Sequence, residues 1–217
     1  LATLEFDETF DAQNLNIRPG NLVKALEERD DYVILGSERL DAAEEGHIWD
    51  WIVTAENWLH KKRIPAQGVN ALLYTELPLL QAGDDGELFY SDFVNVTPLN
   101  ALDGGGQVNP GGVTILGALG MFGFYGGTYP GIWSYGRKEK NRPHVLNFEY
   151  RLKPTVDGST VTEIGAIKTV GGVLLASWAT TDGSVVDYGV DQASTTTRAN
   201  ALYEGLEFTG GSPQLRK

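Results

Sequence analysis

The stretch DDGELFYSD, residues 84–92, decides the fold of this chain. Its Asp-Asp-Gly turn is followed by an alternating segment, in which Leu88 and Tyr90 point to one side and Glu87 and Phe89 to the other. This pattern predicts one turn and one arm of a β-hairpin. The same pattern occurs three more times, in EEGHIWDW (44–51), TYPGIWSYG (128–136) and TDGSVVDYG (181–189).

The four candidate turns share a glycine, and these glycines form a repeat. Their separations are 40, 45 and 52 residues, a period typical of arrays and propellers. The glycines are Gly46, Gly86, Gly131 and Gly183. Two apolar segments precede each of them and predict two strands per unit. The earlier segments are 21–26, 69–74, 113–118 and 164–170, and the later ones are 32–37, 77–83, 121–127 and 173–179.

A further strand closes some of the units. In HVLNFEYRL (144–152) apolar and polar residues alternate, which predicts a half-exposed strand with Leu146, Phe148, Tyr150 and Leu152 on one face. The segment 61–66 is a candidate for the same role in the first unit, and the second unit has no clear copy. The repeating unit is therefore strand, strand, hairpin, strand.

This unit predicts an all-β, β-propeller-like array of about four blades, each of four antiparallel strands. We expect a single domain, with units at about 14–67, 68–111, 112–160 and 161–210. Residues 1–13 would supply the outer strand of a preceding or closing blade. Either the first residues close the array into a small disc, or the array is part of a larger ring, which we favour. A β-sandwich is the alternative. The segment 54–63 fits a helix as well as a strand, whereas 197–206 favours a strand.

The composition excludes several classes of protein. The chain has 217 residues, no cysteine, and a net charge of −12 from 29 acidic and 17 basic side chains. The absence of cysteine excludes disulfides and thiolate metal sites. The apolar runs are too short for membrane spans, so we expect no membrane insertion. Because an acidic surface repels phosphate, we also expect no nucleic-acid partner.

The motifs of catalysis and of cofactor binding are missing from the sequence. His47, His60 and His144 lack the spacing of metal ligands, and no serine lies in a nucleophile motif. The Asp-Gly turns at 83–87 and 180–184 lack the acid spacing of a calcium loop. We therefore expect no metal, no cofactor and no enzymatic activity. A glycosidase or polysaccharide lyase stays open, since a propeller can hold paired carboxylates near its axis.

One region carries candidate contact residues. The segment YPGIWSYG (129–136) places several aromatic side chains on one hairpin, and a basic run follows it on an otherwise acidic chain. Aromatic faces stack on sugar rings, and basic residues complement an acidic partner. The candidate residues for contact with a glycan or a protein are Tyr129, Trp133, Tyr135, Arg137, Lys138, Lys140 and Arg142.

Residues 131–152, 163–178 and 188–192 resemble β-propeller-like proteins of tailed bacteriophages and their environmental relatives. The likeness lies in the hairpin GIWSYGR, the strand NFEY and the segment YGVD, and it covers about residues 112–210. The resemblance implies a virion component of the tail or the host-attachment apparatus, located in the virion. Its partners would be other virion proteins or copies of itself.

Two other functions remain open at this stage. A carbohydrate-binding or glycan-cleaving propeller would contact a host surface glycan through the aromatic hairpin. A cellular propeller that binds peptides is the third hypothesis.

Overall fold

The structure is a computed structural model, and the regular secondary structure that it describes consists of β-strands. None of the described residues forms a helix of the length and apolarity that a membrane span requires. The described residues are 17, 20–30, 32–40, 45–52, 57–75, 78–92, 94–102, 104–137, 141, 143–152, 161–182 and 185–193.

The first two sheets each contain four antiparallel strands in chain order. The strands of sheet 1 are β1 (Asn21–Arg29), β2 (Tyr32–Arg39), β3 (Gly46–Ile52) and β4 (Asn57–Ile64). The strands of sheet 2 are β5 (Val69–Tyr74), β6 (Pro78–Ala82), β7 (Glu87–Ser91) and β8 (Val96–Ala101).

Sheets 3 and 4 have the same order of strands. Sheet 3 contains four strands, and three strands of sheet 4 are described. The strands of sheet 3 are β9 (Gln107–Leu116), β10 (Leu119–Tyr125), β11 (Gly131–Gly136) and β12 (Val145–Tyr150). The strands of sheet 4 are β13 (Val161–Val170), β14 (Val173–Asp182) and β15 (Val185–Gln192).

The sheets stack face to face in chain order, and three apolar cores lie between them. Ile34 and Ile48 of sheet 1 pack with Leu72 and Leu80 of sheet 2. The other face of sheet 2 packs on sheet 3, and the other face of sheet 3 packs on sheet 4. We call the side of a sheet that faces the next sheet its leading face, and the opposite side its trailing face. Every described junction joins a leading face to a trailing face.

The first strands of the sheets lie side by side, since β1 contacts β5, β5 contacts β9 and β9 contacts β13. Glycines of the second strands β2 and β10 also let these strands pack closely on the first strand of the next sheet. A Cβ atom on Gly36 would lie 2.6 Å from Cγ1 of Val69, and one on Gly123 would lie 2.6 Å from Cγ2 of Ile164. This arrangement of stacked four-stranded sheets around their first strands is β-propeller-like, as the sequence predicts.

A chain of polar contacts links the first strands. Lys24 Nζ of β1 donates to Asn70 Oδ1 of β5, and Asn70 Nδ2 donates to Gln81 Oε1 at 3.0 Å. Gln81 Oε1 also accepts the backbone N–H of Val108 in β9 at 3.0 Å. One residue further along β9, Asn109 Nδ2 donates to the backbone oxygen of Ile164 in β13, at 2.9 Å. These polar contacts therefore span all three junctions between the sheets.

Bulges occur at matching places in the sheets. In the first strands the pairing register shifts at Lys24 of β1 and at Asn70 of β5, and it shifts again between Val108 and Val113 of β9. In the fourth strands the register skips one residue in each case. The skipped residues are Leu59 of β4, Leu99 of β8 and Glu149 of β12. The repeat predicted from the turn glycines thus extends to the irregularities of the sheets.

The predicted hairpin is confirmed, since a turn at 83–86 joins β6 to β7. Leu88 and Tyr90 belong to the core between sheets 2 and 3, whereas Phe89 belongs to the core between sheets 1 and 2. The helical interpretation of 54–63 is wrong where the structure describes this segment, because β4 begins at Asn57. The predicted strands at 1–13 and 197–206 lie outside the described residues.

Two further expectations differ from the structure. Sheet 3 begins at Gln107 rather than at 112, because β9 continues past Pro110 through its bulge. Leu146 and Tyr150 do not share a face, because the bulge at Glu149 reverses the alternation. Leu146 packs in the core between sheets 2 and 3, and Tyr150 packs in the core between sheets 3 and 4. The unpredicted outer strand of the second unit is β8.

Candidate functional site: an aromatic surface on sheet 3

Trp133 lies at the centre of the candidate surface. It is located on β11, directly opposite Phe122 of β10 and Phe148 of β12, so the three rings share one face of the sheet. Phe122 is fully buried, Trp133 is half-buried and Phe148 is 46% exposed. The Trp133 and Phe148 rings meet edge to face with centroids 5.1 Å apart, a favourable geometry for an aromatic pair. The core thus extends outward into an accessible aromatic surface.

Tyr129 borders this pair in the loop before β11. Its backbone oxygen accepts a hydrogen bond from Trp133 Nε1 at 3.2 Å, which fixes the indole ring, and its own side chain is 58% exposed. Gly131 lies between the two residues with φ +155, and a Cβ atom there would lie 2.7 Å from Cε2 of Phe148. Glycine at this position therefore permits the close approach of Phe148 to β11.

Tyr135 extends the surface along β11. Its ring contacts the exposed His144 ring edge to face at a centroid distance of 5.8 Å. Tyr90 of sheet 2 packs into the same apolar cluster, so the surface lies at the junction of sheets 2 and 3. Burial raises the pKa of Tyr135, and the nearby Tyr90 raises it further. The phenol therefore remains a neutral hydrogen-bonding group at physiological pH.

The structure brings together three of the residues proposed from the sequence, Tyr129, Trp133 and Tyr135. Arg137 is exposed, directly after the end of β11. Lys138, Lys140 and Arg142 lie outside the described residues, so the structure does not test the basic part of the candidate site.

Sequence reasoning missed two members of the surface, Phe148 and His144. The alternation in the sequence predicts an apolar face for Phe148, but the contact of Phe148 with Trp133 depends on the register between β11 and β12. An aromatic residue on each of two paired strands was the available signal. The register could not be read from the sequence because of the bulge at Glu149.

The described residues contain no group of three or more histidine, aspartate or glutamate side chains that could hold a metal ion. The acidic turn at 83–87 serves a structural purpose in the described region. The backbone oxygen of Asp84 accepts the N–H of Gly106 at 2.7 Å, and the oxygen of Gly86 accepts the N–H of Leu102 at 3.1 Å. This turn holds the connection between sheets 2 and 3.

No protein-family profile and no curated protein matches the chain. Among solved structures, the computationally designed protein Ika4 is similar in fold, with 18% identity and a TM-score of 0.51, over 81% of this chain and 94% of that chain. The β-propeller domain of Cps50 (Swd1) from Myceliophteria thermophila aligns with 12% identity and a TM-score of 0.50. That alignment covers 77% of this chain but only 53% of the Swd1 chain. These similarities support the β-propeller-like fold.

Proposed function

We propose that this protein is a non-enzymatic structural component of a bacteriophage virion, in the tail or host-attachment apparatus, that acts through protein–protein contacts. The observation that carries the contact role is the aromatic surface, because Tyr129 and Phe148 expose large rings next to Trp133, at the margin of the core between sheets 2 and 3. Aromatic side chains and arginine are enriched where proteins bind one another. The assignment to a virion rests on the resemblance of residues 112–210 to phage propeller-like proteins.

The stacked sheets also suit such a role. Each described sheet is bound to its neighbour by an apolar core, and polar contacts link the first strands across the junctions. Rigid repeated sheets present loops and edges at fixed positions. A body of this kind can contact several partners in a particle without changing its fold.

Mass spectrometry of purified phage particles tests the virion assignment. Particles of the phage whose genome encodes this chain are banded on a density gradient and washed in high salt, and a host protein of similar abundance serves as the contamination control. We expect peptides of the chain at a fixed ratio to the tail proteins, together with immunogold labelling at the tail. Loss of the chain in the salt wash, in parallel with the host protein, would contradict the proposal.

Carbohydrate binding is the second candidate, and the exposure of Tyr129 and Phe148 around Trp133 favours it. Rings arranged in this way offer faces and edges on which a pyranose can stack. NMR titration of the labelled protein with oligosaccharides from the host surface tests this function. We expect Tyr129→Ala and Phe148→Ala to weaken binding by about 3- to 10-fold each, the loss of one stacking contact.

Tyr188→Ala is the control for this titration, because Tyr188 is an exposed aromatic ring on a different sheet, with an exposure of 74%. It should leave the affinity for the oligosaccharide unchanged. An equal loss in all three variants, or no shifted resonances with any oligosaccharide, excludes glycan binding at this surface. Neither result affects the virion assignment.

A further inference from the structure

The outer edge of sheet 4 is an unpaired strand edge among the described strands. Sheets 1 to 3 each pair their third strand with an antiparallel fourth strand, whereas β15 is the third and outermost described strand of sheet 4. The pairing of β14 with β15 has no register shift, and Ala193 extends it by donating its N–H to the backbone oxygen of Leu174 at 2.8 Å. Such an edge presents a row of backbone N–H and C=O groups to a further strand.

The outermost strands of sheets 1 to 3 carry features that hinder the addition of another strand, and β15 lacks these features. Each of those strands contains a bulge, β4 also contains the basic residues 61–63, and β8 contains Pro98. Bulges, lysine and proline are the usual protection of a sheet edge. β15 has no bulge, no lysine and no proline. Among the described outermost strands, β15 alone is therefore suited to pair with another strand.

The side chains of β15 form an apolar row and an acidic row. Val186, Tyr188 and Val190 lie on the face that is turned away from sheet 3, and they are 46%, 74% and 68% exposed. Asp187 and Asp191 lie on the other face, which carries the core between sheets 3 and 4. Contiguous exposed apolar side chains on a soluble protein mark contact surfaces.

The sequence VVDYGVDQ (185–192) is complementary to itself in one antiparallel register. When Tyr188 lies opposite the same residue of a second copy, Val186 lies opposite Val190, and each aspartate lies opposite an uncharged residue. A shift of two residues in either direction places aspartates opposite each other, which destabilises a strand pair. A shift of one residue exchanges the two faces. The register centred on Tyr188 therefore joins the apolar rows of two copies without opposing their charges.

We propose that two copies of this chain pair through their β15 strands, antiparallel and about a twofold axis at Tyr188. The resulting sheet has six described strands, three from each copy, and β15 of each copy takes the place of a fourth strand for the other, as in sheets 1 to 3. Within sheet 4, β15 is farthest from the first strands, so the described part of the chain leaves room for the second copy. The contact is separate from the aromatic surface on sheet 3 and does not depend on the virion assignment.

Sedimentation velocity of the full chain tests the association. A single strand pair is a small interface, so we expect a Kd on the order of 10 μM. Tyr188→Glu should weaken the dimer about 10-fold or more, because it places two carboxylates opposite each other. Val94→Glu is the matched control, since Val94 is 66% exposed in the turn between β7 and β8, and it should leave the dimer intact.

Disulfide cross-linking tests the register, and the absence of cysteine from the chain makes single-cysteine variants possible. Opposite residues of paired strands have Cα atoms about 4.5–5.5 Å apart, a separation that a disulfide can bridge. Under mild oxidation, Tyr188→Cys should form a covalent dimer at least about 10-fold faster than Val94→Cys, which measures random collisions. A mixture of Val186→Cys and Val190→Cys should cross-link faster than either variant alone.

A wild-type chain that remains monomeric up to about 500 μM overturns the proposal, and this is the result expected if residues 197–206 occupy the edge instead. The proposal is also overturned if Tyr188→Glu has no effect, or if Tyr188→Cys and Val94→Cys cross-link at the same rate. Cross-linking of Val186→Cys or Val190→Cys alone at the rate of the mixture overturns the register. None of these results bears on whether the chain is found in virions, which the particle analysis decides separately.

Discussion

Gln81 is the residue on which the polar contacts between the first strands converge. Its side chain is fully buried, and its Oε1 accepts hydrogen bonds from Asn70 Nδ2 and from the N–H of Val108. Its Nε2 donates to the backbone oxygens of Ala82 and Gly83 at 3.0 and 2.8 Å. A buried amide that uses both ends in this way satisfies its own polar atoms and fixes the position of sheet 3 relative to sheet 2.

We therefore expect Gln81→Leu to lower the free energy of unfolding by about 2–4 kcal/mol, since it leaves the N–H of Val108 buried without an acceptor and removes a partner of Asn70. Urea denaturation followed by circular dichroism measures the change. Gln67→Leu is the control, because Gln67 is exposed and should shift the value by less than about 0.5 kcal/mol. Equal effects of the two substitutions would show that the buried contacts of Gln81 do not stabilise the fold.

His47 is a buried histidine whose protonation affects the stability of the fold. It is 6% exposed, and its Nδ1 is buried with no hydrogen-bond partner among the described residues. Burial lowers the pKa of His47 below its ordinary value of 6.5, and the nearby Lys61 lowers it further. The folded state therefore holds this imidazole neutral at a pH at which the unfolded chain protonates it.

The stability of the protein should consequently fall as the pH drops below about 6.5, because the unfolded state then binds a proton that the folded state does not. Above that pH the contribution is fully present. Thermal unfolding of the wild type and of His47→Gln between pH 5 and pH 8 measures it as a difference between the two proteins. Gln67→Leu, at an exposed site without a titratable group, should retain the wild-type pH dependence. An identical pH dependence in all three proteins would rule out this role for His47.

At the scale of the element, the bulges determine which side chains meet. The register between β11 and β12 pairs Trp133 with Phe148 and Ile132 with Tyr150, so Glu149 is passed over. Its carboxylate accepts a hydrogen bond from the buried Ser134 hydroxyl at 2.7 Å. One extra residue in the strand therefore sends Phe148 to the contact surface and Tyr150 to the core on the opposite face.

The turn before β11 gives a prediction at this scale. Gly131→Ala should disturb the aromatic surface, because its Cβ would lie 2.6 Å from the Tyr150 oxygen as well as against the Phe148 ring. An unfavourable φ alone lowers the free energy of unfolding by about 1–2 kcal/mol, and we expect Gly131→Ala to lower it by more than this. We also expect a change in Trp133 fluorescence. Gly126→Ala is the control that measures the cost of an unfavourable φ without a clash, since Gly126 has φ +77 and open space around it. A Gly131 variant that matches the Gly126 variant in both measurements would contradict the predicted clash.

The strands could be predicted where apolar alternation follows a glycine, as it does after Gly86 and Gly131. Gly86 lies in the predicted turn, whereas Gly131 is already the first residue of β11. Prediction failed where a strand contains residues that disfavour one. β8 includes Pro98, and β9 includes Pro110. Proline disfavours a strand, so the sequence predicts no strand at either place, although both segments are paired in their sheets. The aromatic members of the site were identifiable on one hairpin. The contact of Phe148 with Trp133 was not, because it depends on the register between β11 and β12, which the bulge at Glu149 sets.

At the scale of the whole molecule, each sheet is stabilised mainly by its neighbours, so protection against hydrogen exchange should vary along the array. We expect the slowest amides in β6 and β10, whose sheets are packed on both faces. Amides of β15 should exchange at least about tenfold faster, since only one face of sheet 4 is covered by a described sheet. Hydrogen-exchange mass spectrometry at low protein concentration measures this gradient. Uniform protection from β1 to β15 would show that the array opens as a single cooperative unit.

The direction of the sheet junctions has a consequence for the history of such chains. Because every described junction joins the same two kinds of face, the removal of one complete sheet would again bring a leading face against a trailing face. The duplication of a sheet would create a junction of the existing type. Insertions or deletions of part of a sheet would instead mismatch both of the adjoining faces. During evolution, chains with this architecture can therefore become longer or shorter by whole sheets, and each new junction joins the same two kinds of face.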